Sequence, residues 1–214
     1  MAKVKLQIPI LCLVTDRGAC AGRPIEGIVA AAVAAGVGLV QLRERDLSAR
    51  EILRVGETLL EPVRKGGGAL VVNDRADVAV VLGADGVHLG GNSLAVRSAR
   101  KVVGDAMLVG VSVHSIEEAV QAAGEGADYL LLGTIFETRS HPGMPPAGLS
   151  LVTEVAAAVR IPLLAIGGVN ATNAGSVIGA GASGVAVITA IQSAPDVSAA
   201  TRALLGAMRG DCRR

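Results

Sequence analysis

Eight times along this chain a short run rich in β-branched residues and leucine is followed by an alanine-rich helical pattern, and polar residues gather where each run ends. Strict alternation of this kind with short connections demands a parallel sheet, because parallel neighbours need a crossover and crossovers within one sheet are right-handed. Eight units favour closure. The expected fold is therefore α/β, a single-domain (β/α)8 TIM barrel spanning residues 1–214. The runs occupy residues 10–16, 39–44, 69–74, 86–90, 108–114, 129–134, 162–168 and 184–191. Barrels of this type carry their sites at the C-terminal ends of the strands, so the polar residues at those ends are the first candidates. They are Asp16, Gln41, Arg43, Asn73, Asp74, His88, Ser112, His114, the Gly167-Gly168 pair and Thr189.

Such barrels typically need about 250 residues. With 214 the loops must be lean, which leaves no room for a second domain. Aromatic residues make up 1% of the chain and small branched ones dominate, as suits a barrel interior filled by Val, Ile and Leu. A formal net charge of +1 gives no electrostatic reason to expect nucleic acid or an acidic membrane as partner, so a small molecule is expected instead. Cys12, Cys20 and Cys212 are odd in number and fall in no metal-ligand spacing, which points to reduced thiols and a cytoplasmic protein. Lys3 and Lys5 ahead of residues 6–14 imitate a secretory leader, but Pro9 interrupts the apolar run and Asp16 and Arg17 follow it. Cleavage would also delete the first strand.

Ser48 with Glu51 and Ser115 with Glu118 have the spacing of capping boxes, placing helix starts after strands two and five. Pro62 is expected to bend or divide the helix it falls in. Three near-identical turns at 83–86, 126–128 and 181–184 read as structural helix-to-strand connections at the face away from the site. One segment breaks the economy. Residues 135–148, after strand six, include Thr138, Ser140 and His141 and are expected to be functional, a lid over the site being the natural form.

The strongest local signal is Ile166-Gly167-Gly168-Val169-Asn170 at the end of strand seven, followed at strand eight by Ile188-Thr189. Bare glycine backbone lets N–H groups approach an anion at the strand positions where barrels commonly bind phosphate, so Gly167, Gly168, Ile188 and Thr189 are expected to hold a phosphorylated ligand.

The segments 40–45 (VQLRER), 72–75 (VNDR), 84–90 (ADGVHLG), 110–115 (GVSVHS) and 165–168 (AIGG) together resemble the thiamine phosphate synthase and TenI family, in order and along essentially the whole chain. The resemblance implies a barrel acting on small-molecule thiazole phosphate in thiamin biosynthesis. It implies substrate contacts at Gln41, Arg43, Arg45, Asn73, Ser112, Thr138, Ser140 and His141, and phosphate contacts at Gly168, Ile188 and Thr189.

The family has two branches. The synthase branch joins a pyrimidine diphosphate to thiazole phosphate with Mg2+, and there Asp74 would be the metal ligand. The tautomerase branch aromatises a thiazole carboxylate phosphate with no cofactor, and its catalytic histidine falls on His114, a residue type suited to giving and taking a proton near neutrality. Ser93 stands where the family has a second metal-binding Asp, Arg45 replaces a lysine and His141 another. All three changes lie in the pyrophosphate half of the site, so the sequence leans towards the metal-independent tautomerase, with the Mg2+-dependent synthase and a non-catalytic thiazole phosphate carrier as alternatives. A homo-oligomer is left open.

Overall fold

The computed structural model describes residues 3–138 and 145–210. Its elements, in chain order, are β1 (Ile10–Val14), α1 (Ile25–Ala34), β2 (Leu39–Leu42), α2 (Ala49–Lys65), β3 (Ala69–Asn73), α3 (Ala76–Leu82), β4 (Gly86–Leu89) and α4 (Val96–Val103), then β5 (Leu108–Val113), α5 (Ile116–Gly124), β6 (Tyr129–Leu132), α6 (Gly148–Ala158), β7 (Leu163–Ala165), α7 (Ala174–Gly179), β8 (Gly184–Val187), α8 (Thr189–Gln192) and α9 (Val197–Arg209). A 3-10 turn at Arg17–Cys20 follows β1. The strands close in sequence order into a parallel barrel, with β8 pairing back onto β1 through Ile10 opposite Gly184. Residues 10–14 of the segment that imitated a leader form a barrel strand, buried throughout. None of the described helices is long and apolar enough to cross a membrane.

Side chains alternate along a strand, so every strand feeds two different cores. In β2, Val40 and Leu42 face outward and join the shell between sheet and helices, while Leu39 and Gln41 point into the barrel. The inner core is assembled from Ile10, Cys12, Leu39, Val71, Leu108, Tyr129, Leu131 and Leu164, among others, and is apolar towards the N-terminal end of the strands. Towards the other end the inward positions turn polar. Tyr129 needs room to cross the interior, and Gly110 supplies it: a Cβ there would lie 2.1 Å from the Tyr129 ring.

The three repeated turns share one chemistry. Gly83, Gly126 and Gly181 take positive φ, which glycine adopts without strain. Two residues on, the side chains of Asp85, Asp128 and Ser183 accept the N–H of Leu70, Val109 and Leu163, tying each turn to the start of a neighbouring strand. Ser48 and Glu51 form the expected capping box on α2. In α5 the box is shifted: Ser115 accepts the Glu118 N–H, but the Glu118 carboxylate reaches back to the N–H of His114 instead of its own cap.

Two expectations are corrected. α2 is not divided at Pro62 but runs on to Lys65, because the proline falls in the last turn and removes one helical hydrogen bond only. The eighth strand ends at Val187 instead of continuing to residue 191, and a one-turn helix, α8, follows at once.

Candidate active site

A cavity of about 190 Å³ opens at the C-terminal end of the barrel. It is lined by twelve residues singled out from the sequence: Gln41, Arg43, Arg45, Asn73, Asp74, Ser112, His114, Thr138, Gly167, Gly168, Ile188 and Thr189. Ser140 and His141 lie outside the described residues. Asp16 is occupied elsewhere, its carboxylate accepting the Gly18 N–H to cap the 3-10 turn.

On the β7–β8 side the cavity wall is bare backbone. Gly167 and Gly168 have φ of +97° and +65°, and a Cβ on Gly168 would lie 2.4 Å from the Glu137 carbonyl oxygen, so both conformation and space exclude a side chain. The side chains of Asn170 and Asn173 donate to the Gly168 carbonyl, turning that peptide away and holding the loop. The N–H groups of Gly168 and Thr189 have no protein acceptor among the described residues. Thr189 opens α8, whose first N–H groups have no intrahelical partner and carry the positive end of its dipole. The far end of α8 is anchored: Gln192 donates to the Val14 carbonyl and accepts from the Asp16 N–H, and Arg23 donates to the carbonyls of Gln192 and Ala194.

Across the barrel, β2, β3 and β4 present a polar chain of fixed direction. Asp74 is a carboxylate acceptor, so Asn73 must offer it an amide N–H, at 2.7 Å. The Asn73 oxygen then faces Gln41, which donates at 2.7 Å. That orientation aims the Gln41 Oε1 the other way, buried and without a partner among the described residues. The second Asp74 oxygen accepts the N–H of Gly90 at 2.9 Å and the hydroxyl of Ser93, the residue in place of the family's aspartate. Asp74 itself sits at φ +60°, a left-handed conformation uncommon outside glycine.

Arg43 and Arg45 face the same cavity. Burial, and then the neighbouring charge of Arg45, lower the pKa of Arg43, as expected of cations gathered without full compensation. Two such charges and one carboxylate suit a polyanion carrying a divalent cation. Directly after β5, His114 makes a hydrogen bond through Nδ1 to the Gly133 carbonyl, which can only accept. Nδ1 therefore carries a proton, and in the neutral ring Nε2 is the open acceptor.

His88 is one of the strand-end candidates. It faces inward, fully buried, with Nδ1 3.0 Å from the Tyr129 hydroxyl and Nε2 2.9 Å from Ser112 Oγ. Burial pushes its pKa down from 6.5 to about 4. Between these values the unfolded chain binds a proton that the native state refuses, so stability is full above about pH 6.5 and declines as pH falls towards 4. The expected loss is about 3 kcal/mol. Urea unfolding at pH 7 and pH 4.5 checks this, since His88→Gln removes that part of the decline.

Sequence reasoning missed two contributors, Tyr129 and α8. Strand parity carried the signal for the first, because Gly86 and His88 are two apart and Asn73 pairs with His88 in register. The Ile188, Ile191, Gln192 spacing carried a faint helical signal for the second.

The fold and this cavity define a class: (β/α)8 barrels with an open cavity at the C-terminal ends of their strands. Residues 11–191 match the family described as thiamine monophosphate synthase. The thiamine-phosphate synthase of Roseiflexus castenholzii is 48% identical over 196 residues, covering 91% of this chain and 86% of the relative, and that of Roseiflexus sp. is 46% identical over 196 residues, covering 91% and 83%. A solved structure of thiamine phosphate pyrophosphorylase from Pyrococcus furiosus superposes with a TM-score of 0.86 at 34% identity, covering 95% of this chain and 97% of the other. The chain belongs to the thiamine monophosphate synthase family, a family of enzymes of thiamin biosynthesis. The relatives named here carry the synthase name, which supports the synthase alternative better than the sequence-based lean towards the tautomerase branch.

Proposed function

We propose that this protein is a cytoplasmic, Mg2+-dependent thiamine-phosphate synthase that couples a pyrimidine diphosphate to thiazole phosphate and releases pyrophosphate. The observation that carries the reading is the placement of two regions suited to anions on opposite sides of one cavity, the bare backbone after β7 and β8 facing Arg43, Arg45 and Asp74 in the loops after β2 and β3. One substrate brings a monophosphate and the other a diphosphate, so one region serves each.

In this reading the N–H groups of Gly168 and Thr189 hold the thiazole phosphate, with Ile188 against the ring. The buried Gln41 Oε1 accepts an N–H of the aminopyrimidine, a role that its otherwise unmet acceptor fits. Arg43 and Arg45 neutralise charge that grows on the diphosphate as its bond to the pyrimidine carbon breaks. Asn73 holds Asp74 in place. The donor set suits Mg2+ in a one-carboxylate manner: Asp74, with the Ser93 hydroxyl beside it, would hold the ion together with diphosphate oxygens. When bound it would supply further charge neutralisation to the leaving group. Thr138, which lines the cavity, would contact the diphosphate.

Ser93→Asp tests this reading. A second carboxylate beside Asp74 is expected to lower the Mg2+ concentration giving half-maximal rate by about tenfold. Magnesium titration of the condensation rate in the two proteins checks it, and an unchanged midpoint argues that Asp74 does not hold the metal.

One observation favours a second reading. His114 presents an open Nε2 in the same cavity as the thiazole-phosphate cradle, as a metal-independent tautomerase needs. Under that reading His114→Asn costs about 10² to 10⁴ in isomerisation rate with ligand affinity little changed; under the synthase reading the condensation survives far better. Parallel assays of the variant with both sets of substrates separate the two.

A further inference from the structure

The buried column formed by Tyr129, His88 and Ser112 crosses the barrel interior and ends in the cavity wall. Its direction can be worked out. The Tyr129 hydroxyl has one proton to place, and among the described residues His88 Nδ1 is the one hydrogen-bond partner it meets. Around it stand Leu108, Leu131, Leu164 and other apolar side chains of the inner core. Were Nδ1 the protonated nitrogen, two donors would face each other unless the hydroxyl turned its proton into that apolar layer. A buried donor without an acceptor costs about 1–3 kcal/mol. The alternative loses nothing: Tyr129 donates to Nδ1, and Nε2 then carries the ring proton and donates to Ser112 Oγ.

We infer that the Tyr129–His88 pair sets the direction of the Ser112 hydroxyl, fixing its oxygen as an acceptor from His88 and turning its proton into the cavity as a donor to bound substrate. Tyr129 and His88 are positioning residues, neither of which lines the cavity. Ser112 so oriented favours a ligand atom with a free lone pair, such as a heteroaromatic ring nitrogen. It is the complement of the Gln41 Oε1, which selects an N–H. Naming the pyrimidine as the ligand that Ser112 meets rests on the function proposed above. The direction of the column does not.

Gly110 is part of the same device, since a side chain there would occupy the space of the Tyr129 ring. Without it the hydroxyl could not reach Nδ1.

Imidazole nitrogen NMR of histidine-labelled protein at pH 7 is the direct test. His88 signals are assigned by their loss in His88→Gln or, should that variant not fold, by elimination with His114→Asn and His141→Asn. The expected state is a neutral ring protonated on Nε2. In Tyr129→Phe, which removes only the hydroxyl, the preference is expected to relax towards a mixture with the Nδ1 form. An Nδ1-protonated ring or an imidazolium in the wild-type protein overturns the inference, and so does a Tyr129→Phe spectrum identical to wild type.

Kinetics supply the functional arm. Tyr129→Phe is expected to lower kcat/KM for the pyrimidine diphosphate about tenfold, the worth of one well-placed hydrogen bond, while the KM for thiazole phosphate stays put. Equal losses for both substrates mean a general loosening of the barrel and contradict the positioning role. If neither wild type nor variant makes thiamin phosphate, the proposed function fails, while the NMR result still decides the column.

Discussion

Asp74→Asn is expected to lower the rate of pyrophosphate release by about 10² to 10³, the worth of several kcal/mol of charge stabilisation. The substitution removes the one carboxylate among the described residues that lines the cavity beside Arg43 and Arg45. It also disturbs a chain of fixed direction. Asn73 donates to Asp74 Oδ2, while Gly90 and Ser93 donate to Oδ1. An amide can accept on one side only, so its NH2 must meet a donor on the other. Should Asn73 turn over in response, Gln41 must follow, and its Oε1 would leave the cavity. The fall in kcat is therefore expected to come with a raised KM for the pyrimidine diphosphate and little change for thiazole phosphate. Steady-state kinetics with each substrate varied in turn provide the check, and equal effects on both would contradict the division of the cavity.

Gly168→Val carries the second large effect, on the other half of the site. The new side chain must take φ near +65°, a conformation that costs an L-residue roughly 1–2 kcal/mol, and must enter space held by the Glu137 carbonyl and Phe136. Neither neighbour can yield cheaply, because the Phe136 N–H is bound to the Gly167 carbonyl and both segments frame the cavity. The loop is expected to move and take the Gly168 N–H away from the anion. Thiazole phosphate binding measured by calorimetry is expected to weaken by more than about 10². Gly168→Ala is the control for folding, with the same φ problem and less bulk. Wild-type affinity in a folded Gly168→Val protein would mean that the phosphate sits elsewhere.

Much of this site was legible in the sequence because barrel geometry is so repetitive. Residues that end strands must stand on one face, and the motifs around Gln41, Asn73, Ser112 and Gly168 each end a strand. Parity was the rule left unused. Counting by twos back from Ser112 gives Gly110, and forward from Gly86 gives His88, which places both inside and makes room for Tyr129. Tyr129 itself looked like the start of an ordinary buried strand, since a chain with one tyrosine offers no pattern by which to read it. The end of β8 was illegible for another reason. Residues 184–191 form an unbroken run that suits a buried strand, and propensity cannot show that Gln192 has a better use, bonding Val14 and Asp16 from a helix. Tertiary hydrogen bonds hold α8 in place, and they join residues more than 170 positions apart.

Of the three departures that tilted the sequence towards the tautomerase branch, Ser93 was read as the loss of a metal ligand. The structure sets its hydroxyl against Asp74, where under the proposed function it would be a second oxygen donor. A neutral donor is weaker than a carboxylate but is still a hard oxygen, which is the donor type Mg2+ takes.

The purified protein incubated with pyrimidine diphosphate, thiazole phosphate and Mg2+ gives the most direct measurement, with thiamin phosphate and pyrophosphate followed together. The account predicts equimolar formation of the two at a rate of about 1 s⁻¹ or above, the ordinary range for enzymes, abolished by a chelator and restored by added Mg2+. No thiamin phosphate under these conditions, together with chelator-resistant isomerisation of the thiazole carboxylate phosphate, would contradict it.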